Sequence, residues 1–309
     1  MLVLLCCAHD FAWAQGERAV ISHNSESITI APILYGIDKG FYRNEGIHLE
    51  FRFLRTDLAA AAVNTQELDY MISAGTAMRA AVRGLPLKIV AYSFTQPLFY
   101  LMTPPTIQSV KELRGKKIAV SSPQDSGGQA AKAAIRAGGL DPERDVVYIA
   151  IGAASVRMAA MEIGSVDAAI QPVPWNSRMK KKGFKELLFA GSYLAQPLTG
   201  MVTSAAKVEK NSDQVRRVLR AYLLSLRRLR QEKNEVVEFI AKRFGLERDT
   251  GEEVYKVMLD TMSSDGTMPA SILDPYFEQV RNEPGAKKSI LLNDIVDYRL
   301  LREVTASIK

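Results

Sequence analysis

Between Ala19 and Ala190 the hydrophobic period of the sequence switches repeatedly between about two and about 3.6 residues, and nothing else constrains its fold as strongly. Short apolar runs with strand character alternate with longer helical runs, and glycine or proline punctuates the joins. A chain of this kind pairs its strands in parallel through helical crossovers and covers both faces of the sheet.

The first strand candidate is Ala19-Val20-Ile21-Ser22-His23, followed by the polar loop Asn24-Ser25-Glu26-Ser27. A helix is predicted over 31–44, with Pro32 tolerated in its first turn and Gly46 just beyond its end. Ile47, Leu49, Phe51 and Phe53 then alternate with His48, Glu50 and Arg52, predicting a strand with one buried and one wet face. Helices over 58–63 and 74–82 separate strands over 68–73 and 87–92, and 98–102 reads as one strand more. Thr103-Pro104-Pro105 interrupts the pattern.

The same grammar resumes after the interruption. Strands are predicted over 117–120, 146–151, 168–171 and 187–190, with helices over 126–137 and 154–163 between the first three. From Asp213 the chain is helical. Val215, Val218, Leu219, Tyr222, Leu223, Leu226 and Leu229 form an apolar stripe, and most of the arginines between them fall on the opposite face.

A length of 309 residues suffices for two domains, each with its own core. Lys and Arg number 40 against 34 Asp and Glu, giving a net charge of +6, but the excess is spread along the chain. A nucleic-acid partner needs it concentrated, so none is expected. The only cysteines, Cys6 and Cys7, are adjacent and near the N-terminus, which removes disulfides and thiolate metal sites from the body of the chain. Neither a metal nor any other cofactor is expected. Residues 1–14 read as an export signal: Met1 to Cys7 is almost wholly apolar, and Ala12-Trp13-Ala14 is a small-x-small cleavage pattern, although no basic residue precedes the run. The run is too short to span a bilayer, which takes about 20 apolar residues. A periplasmic location is expected.

Several stretches resemble one family in the right order. Gly36-x-x-x-Gly40-Phe41-Tyr42 followed by Glu45-Gly46-Ile47, then Glu67-Leu68-Asp69, Gly84-Leu85-Pro86-Leu87-Lys88, the segment from Ser109 to Val120, and Gly164-Ser165-Val166-Asp167-Ala168-Ala169 are similar to the solute-binding proteins of ABC importers for nitrate, sulfonates, taurine and the thiamine pyrimidine precursor. The resemblance implies an α/β, two-lobed periplasmic-binding-protein type II fold, each lobe a mostly parallel sheet flanked by helices. It implies a small-molecule ligand held between the lobes, an ABC permease and ATPase as partners, a monomer, and no catalysis. Lobe one is expected over 16–101 and 205–309 and lobe two over 106–197, with crossings near 101–106 and 198–204. Where the family often carries Glu-Pro after a late strand this chain has Gln171-Pro172, which favours a neutral or anionic ligand over a cationic one.

In open α/β sheets ligands sit beyond the carboxyl ends of the strands, against helix N-termini. That rule selects His23, Asn24, Ser25, Gly75, Thr76 and Gln96 from the first lobe. From the second it selects Ser122, Ser126, Gly127, Gly128, Ser155, Gln171 and Trp175. Either of two roles, helix N-cap or ligand contact, suits Ser126 and Ser155. Trp175 suits core packing and a pocket wall equally, and Gly75 a tight turn as well as a site. Gly127-Gly128 lacks the Lys-Ser/Thr that completes a phosphate loop. Two other function classes stay open: a lyase or synthase on the same fold, and a ligand-sensing module. Turnover of a bound compound would mark the first, and a neighbouring DNA-binding or receptor domain the second.

Overall fold

The computed structural model describes residues 16–308 except 25, 195 and 198, so the expected export signal over 1–14 and Ser25 lie outside the described residues. Ten strands form two five-stranded sheets. They are β1 (Glu17–His23), β2 (Ile47–Phe53), β3 (Tyr70–Met71), β4 (Leu87–Phe94) and β5 (Phe99–Thr103). The remainder are β6 (Lys117–Val120), β7 (Val147–Ala150), β8 (Ala168–Pro172), β9 (Lys185–Phe189) and β10 (Thr199–Ser204).

The first sheet has the order β2-β1-β3-β10-β4 and the second β7-β6-β8-β5-β9. In the first, β1 pairs in parallel with β2 and β3, while β10 runs antiparallel between β3 and β4. In the second, β6 pairs in parallel with β7 and β8, while β5 runs antiparallel between β8 and β9. Each antiparallel strand is the one that arrives from the other sheet. Having left its first sheet at the cleft, the chain enters the second from the cleft side and runs against its neighbours.

This corrects the expected boundary of the first lobe. Residues 99–101 fall within the expected first lobe, but β5 registers Leu101 against Ile170 and Leu188 of the second sheet. The chain therefore crosses over 95–98, and the Pro104-Pro105 break lies beyond the crossing, inside the second lobe. On the return, β10 is itself part of the first sheet, so that sheet regains the chain at Thr199 and not at Ala205.

Helices cover both faces of both sheets, and the strands alternate between two cores. Ala19 and Ile21 of β1 face one cluster with Tyr222 and Leu226, while Val20 faces another with Met78 and Ile89. In the second sheet Ile118, Val120 and Ile170 share one cluster, and Ala119, Ala169 and Met179 the other. Covering both faces is why these strands read as nearly continuous apolar runs. The edge strand β2 departs from the expected alternation at its end, where Phe53 is 55% exposed and packs edge-on against Phe51.

The predicted first helix is two, Ala31–Asp38 and Phe41–Asn44, because Gly40 takes a left-handed φ of 73° between them. The helix Ser212–Gln231 buries Val215, Val218, Leu219, Tyr222 and Leu226. Its arginine face is satisfied within the chain: Arg216 pairs with Glu303, Arg220 with Glu45 and Arg228 with Glu232. Among the described residues no helix is long and apolar enough to cross a membrane.

Candidate functional site

A cavity of about 40 Å³ opens where the strand ends of the two sheets face each other. From the first sheet it is lined by His23, Asn24, Ser27, Thr29, Thr56 and Ser73. From the second come Ser121, Ser126, Gly127, Gly152, Arg157 and Pro172. The first crossing supplies Gln96, Pro97 and Leu98, and the strands that follow the crossings supply their first residues, Phe99 and Thr199.

His23 is the last residue of β1 and is 8% exposed. Its Nδ1 lies 3.3 Å from Ser73 Oγ and its Nε2 3.3 Å from Thr29 Oγ1, and Thr29 Oγ1 lies 2.6 Å from Ser27 Oγ. Burial lowers the imidazole pKa from 6.5 to about 4, so at neutral pH the ring is an uncharged donor and acceptor. Beside it, Asn24 Nδ2 donates to Thr56 Oγ1 over 3.4 Å.

On the opposite rim, Asp125 caps the helix Ser126–Ala137, its Oδ1 accepting from Gly128 N over 3.0 Å. The backbone at Ser126 and Gly127 meets the cavity. The next helix, Ala154–Glu162, carries Arg157, which is 1% exposed. Its Nε donates to Ile170 O over 3.0 Å, and its Nη1 to Ile151 O and Gly152 O over 2.9 and 2.7 Å. Among the described residues no carboxylate forms an ion pair with it. Burial lowers its pKa to about 10, which leaves it charged at neutral pH. Every other side chain that lines the cavity is neutral.

Of the residues selected from the sequence, His23, Asn24, Gln96, Ser126 and Gly127 line the cavity. Others stand one or two positions away from the residue that does. Gly75 and Thr76 give way to Ser73, because the chain has already turned into the helix Ala74–Val82 and Gly75 O accepts from Tyr276 Oη. Ser122 gives way to Ser121, and Gln171 to Pro172. The Gln171 side chain is fully buried and its Nε2 donates to Ala154 O over 3.1 Å, so its neutrality does not bear on ligand charge as expected. Gly128 packs under the cap: an added Cβ would lie 2.2 Å from Ser122 O and 2.5 Å from Pro123 O. Trp175 bridges the lobes, its Nε1 donating to Glu26 O over 2.8 Å. Ser155 is exposed on the outer face of its helix.

Arg157 lines the cavity without being among the residues the strand-end rule selects, although the sequence carries a signal for it. It falls at helical spacing from Ala154, Ala160 and Met161, the buried stripe of its helix, where a charged residue is out of place. The strand-end rule selects Ser155 in the same helix, but the helix phase leaves that side chain exposed.

Two α/β lobes, each completed by one antiparallel strand from the crossing and facing each other across a polar cavity, define the type II periplasmic-binding-protein fold. Within it the chain belongs to the NMT1/THI5-like family, whose model matches residues 27–235. A curated relative, the riboflavin-binding protein RibY of Chloroflexus aurantiacus, is 29% identical over 212 residues, 65% of this chain and 58% of that protein's length. The alkanesulfonate-binding protein SsuA of Xanthomonas axonopodis pv. citri, solved with MOPS, has the same fold with a TM-score of 0.73 at 17% identity, over 92% of this chain and 99% of its own. So does the desulfurization enzyme DSZB, with a TM-score of 0.70 at 13% identity, over 94% and 99% of the two chains.

Proposed function

We propose that this protein is the extracytoplasmic solute-binding component of an ABC importer. It captures a small organic molecule between its lobes as a monomer and presents it to a membrane permease driven by an ATPase. The observation that carries the reading is the lining of the cavity from both sheets, with His23, Thr56 and Ser73 on one rim and Ser121, Gly127 and Arg157 on the other. A solute shifts the balance between open and closed lobes only if it binds the closed form better, and contacts from both rims supply that difference. On this reading one lobe comprises residues 16–98 and 199–308 and the other the chain between them.

The DSZB likeness and the His23–Ser73 pair favour a second reading, catalysis in the same cavity. The pair suits it poorly. A general base works best with a pKa near the operating pH, whereas burial lowers that of this imidazole to about 4 and no carboxylate partners it among the described residues.

Mass spectrometry of solute released from unfolded protein should find a small molecule that rebinds the refolded chain with measurable heat. Riboflavin and alkanesulfonates are the first compounds to titrate, given what RibY and SsuA bind. Small-angle scattering should show compaction on rebinding. Binding without any change in shape would refute lobe closure, and conversion of the rebound molecule into a product would favour the enzyme.

A further inference from the structure

We propose that acidification parts the lobes and releases the solute, with His23 as the sensor and the segment Glu26–Thr29 as the part it controls. The inference rests on the capture reading and adds a regulation to it.

His23 sits where the wall of the cavity meets the bridge between the lobes. Its ring lies between two hydroxyls, Ser73 Oγ on the Nδ1 side and Thr29 Oγ1 on the Nε2 side, and Thr29 Oγ1 in turn lies 2.6 Å from the buried Ser27 Oγ. The neighbours of Ser27 and Thr29 reach the other lobe. Glu26 O accepts from Trp175 Nε1, and Ile28 N donates to Val173 O. Val173, although it belongs to the second lobe, is buried in the same apolar cluster as Ile28 and Leu98. Along these four residues, those that hold the imidazole alternate with those that hold the lobes together.

A neutral imidazole suits this place and an imidazolium does not. The hydroxyl partners bring no negative charge, and Arg157, on the opposite rim of the same cavity, has the same sign as a protonated ring. The other charged groups on the elements around the ring are committed elsewhere. Glu26 pairs with Arg243, Arg55 with Asp57, Arg52 with Glu50 and Arg79 with Glu283, while Asp125 caps Gly128 N. A proton on His23 therefore puts a second cation into a cavity that no carboxylate lines among the described residues. Parting the lobes relieves this, because it admits water to the ring and moves Arg157 away.

The direction follows by linkage. With the lobes together, burial holds the imidazole at about 4, against 6.5 for a hydrated ring. The open form takes up the proton at higher pH, so closure is fully favoured above 6.5 and weakens as pH falls towards 4. Between about pH 7.5 and about pH 5 the closed-to-open ratio falls about 30-fold, for a solute that brings no charge to the ring.

The test uses protein purified without unfolding, which keeps the small molecules it has captured. Samples are washed by ultrafiltration at about pH 7.5 and about pH 5 at equal ionic strength, with the fold verified by circular dichroism. Small-angle scattering reads the shape, and mass spectrometry reads which compounds stay and which leave. Wild type should be compact and loaded at the neutral pH, and expanded and depleted at the acid one. His23→Gln keeps a hydrogen-bonding side chain but gains no proton, so it should stay compact and loaded at both. Equal retention by wild type at the two pH values, or equal acid loss from His23→Gln, would overturn the inference and leave capture standing. A wild type that carries no compound at either pH would take down the capture reading and this inference together. Where a sample unfolds in acid, histidine proton resonances of the folded wild type decide, with the exposed His48 as internal control. A His23 ring that titrates lower in loaded protein than in emptied protein supports the coupling, and one that titrates alike in both refutes it.

Discussion

His23 illustrates how a single buried side chain couples this fold to pH. Its partners among the described residues are hydroxyls and not carboxylates, and burial lowers its pKa from 6.5 to about 4. The unfolded chain therefore takes up a proton at higher pH than the folded one. Stability from this group is complete above pH 6.5 and is lost as pH falls towards 4. The loss amounts to about 3 kcal/mol at most. Denaturant melts of wild type and His23→Gln, followed across that window, should diverge as the solution is acidified, with the wild type falling faster. Parallel curves would mean that the imidazole is not held neutral by burial.

At the scale of an element, the strand–loop–helix unit from β6 to Ala137 separates two adjacent glycines that look alike in the sequence. Gly128 is pinned beneath backbone: its missing Cβ would meet the carbonyl oxygens of Ser122 and Pro123, and its N–H is the one Asp125 caps. For Gly127 the closest atom is Ser121 Oγ at 2.5 Å, the end of a side chain that can rotate. Gly128→Ala should therefore lose several kcal/mol of stability through backbone displacement, an order of magnitude set by overpacking of about 1–3 kcal/mol plus a strained cap. Gly127→Ala should melt within a few degrees of wild type yet bind solute more weakly, because Gly127 borders the cavity. Thermal melts paired with calorimetry distinguish the two. A stable Gly128→Ala that merely fails to bind would show that the glycine serves the solute and not the helix start.

Across the whole molecule, the segment Glu26–Ile28 of the first lobe straps against Val173–Trp175 of the second. Ile28 N donates to Val173 O and Trp175 Nε1 to Glu26 O, each over 2.8 Å. Further along the same side, Lys181 pairs with Glu247 over 2.7 Å and Arg178 donates to Phe244 O. These contacts join the lobes only when they are close together. Trp175→Phe keeps an aromatic ring at the position, though a smaller one, and removes one donor, worth about 1 kcal/mol net, or a factor of about 5 in the closed-to-open ratio. Solute should leave the variant several-fold faster while the melting temperature of the empty protein hardly moves. Stopped-flow release measured against wild type checks this, and an unchanged off-rate would show that Trp175 takes no part in closure.

The order of strands and helices was legible in the sequence because both faces of each sheet are covered. Runs such as Ile118-Ala119-Val120 and Ala168-Ala169-Ile170 must then be apolar throughout, and the glycines at Gly46 and Gly164 must follow helices with positive φ. The rims of the site were legible for the same reason, since strand ends fix where a ligand can lie. Which side chain on each rim meets the cavity was decided in three dimensions. A shift of one residue on a strand, or two on a helix, turns a side chain from cleft to core. This is how Ser73 replaced Gly75, Ser121 replaced Ser122, Pro172 replaced Gln171, and Arg157 replaced Ser155. The sheet membership of β5 was likewise settled by tertiary pairing. Its apolar residues fit either sheet, and only the partners Ile170 and Leu188 place it in the second.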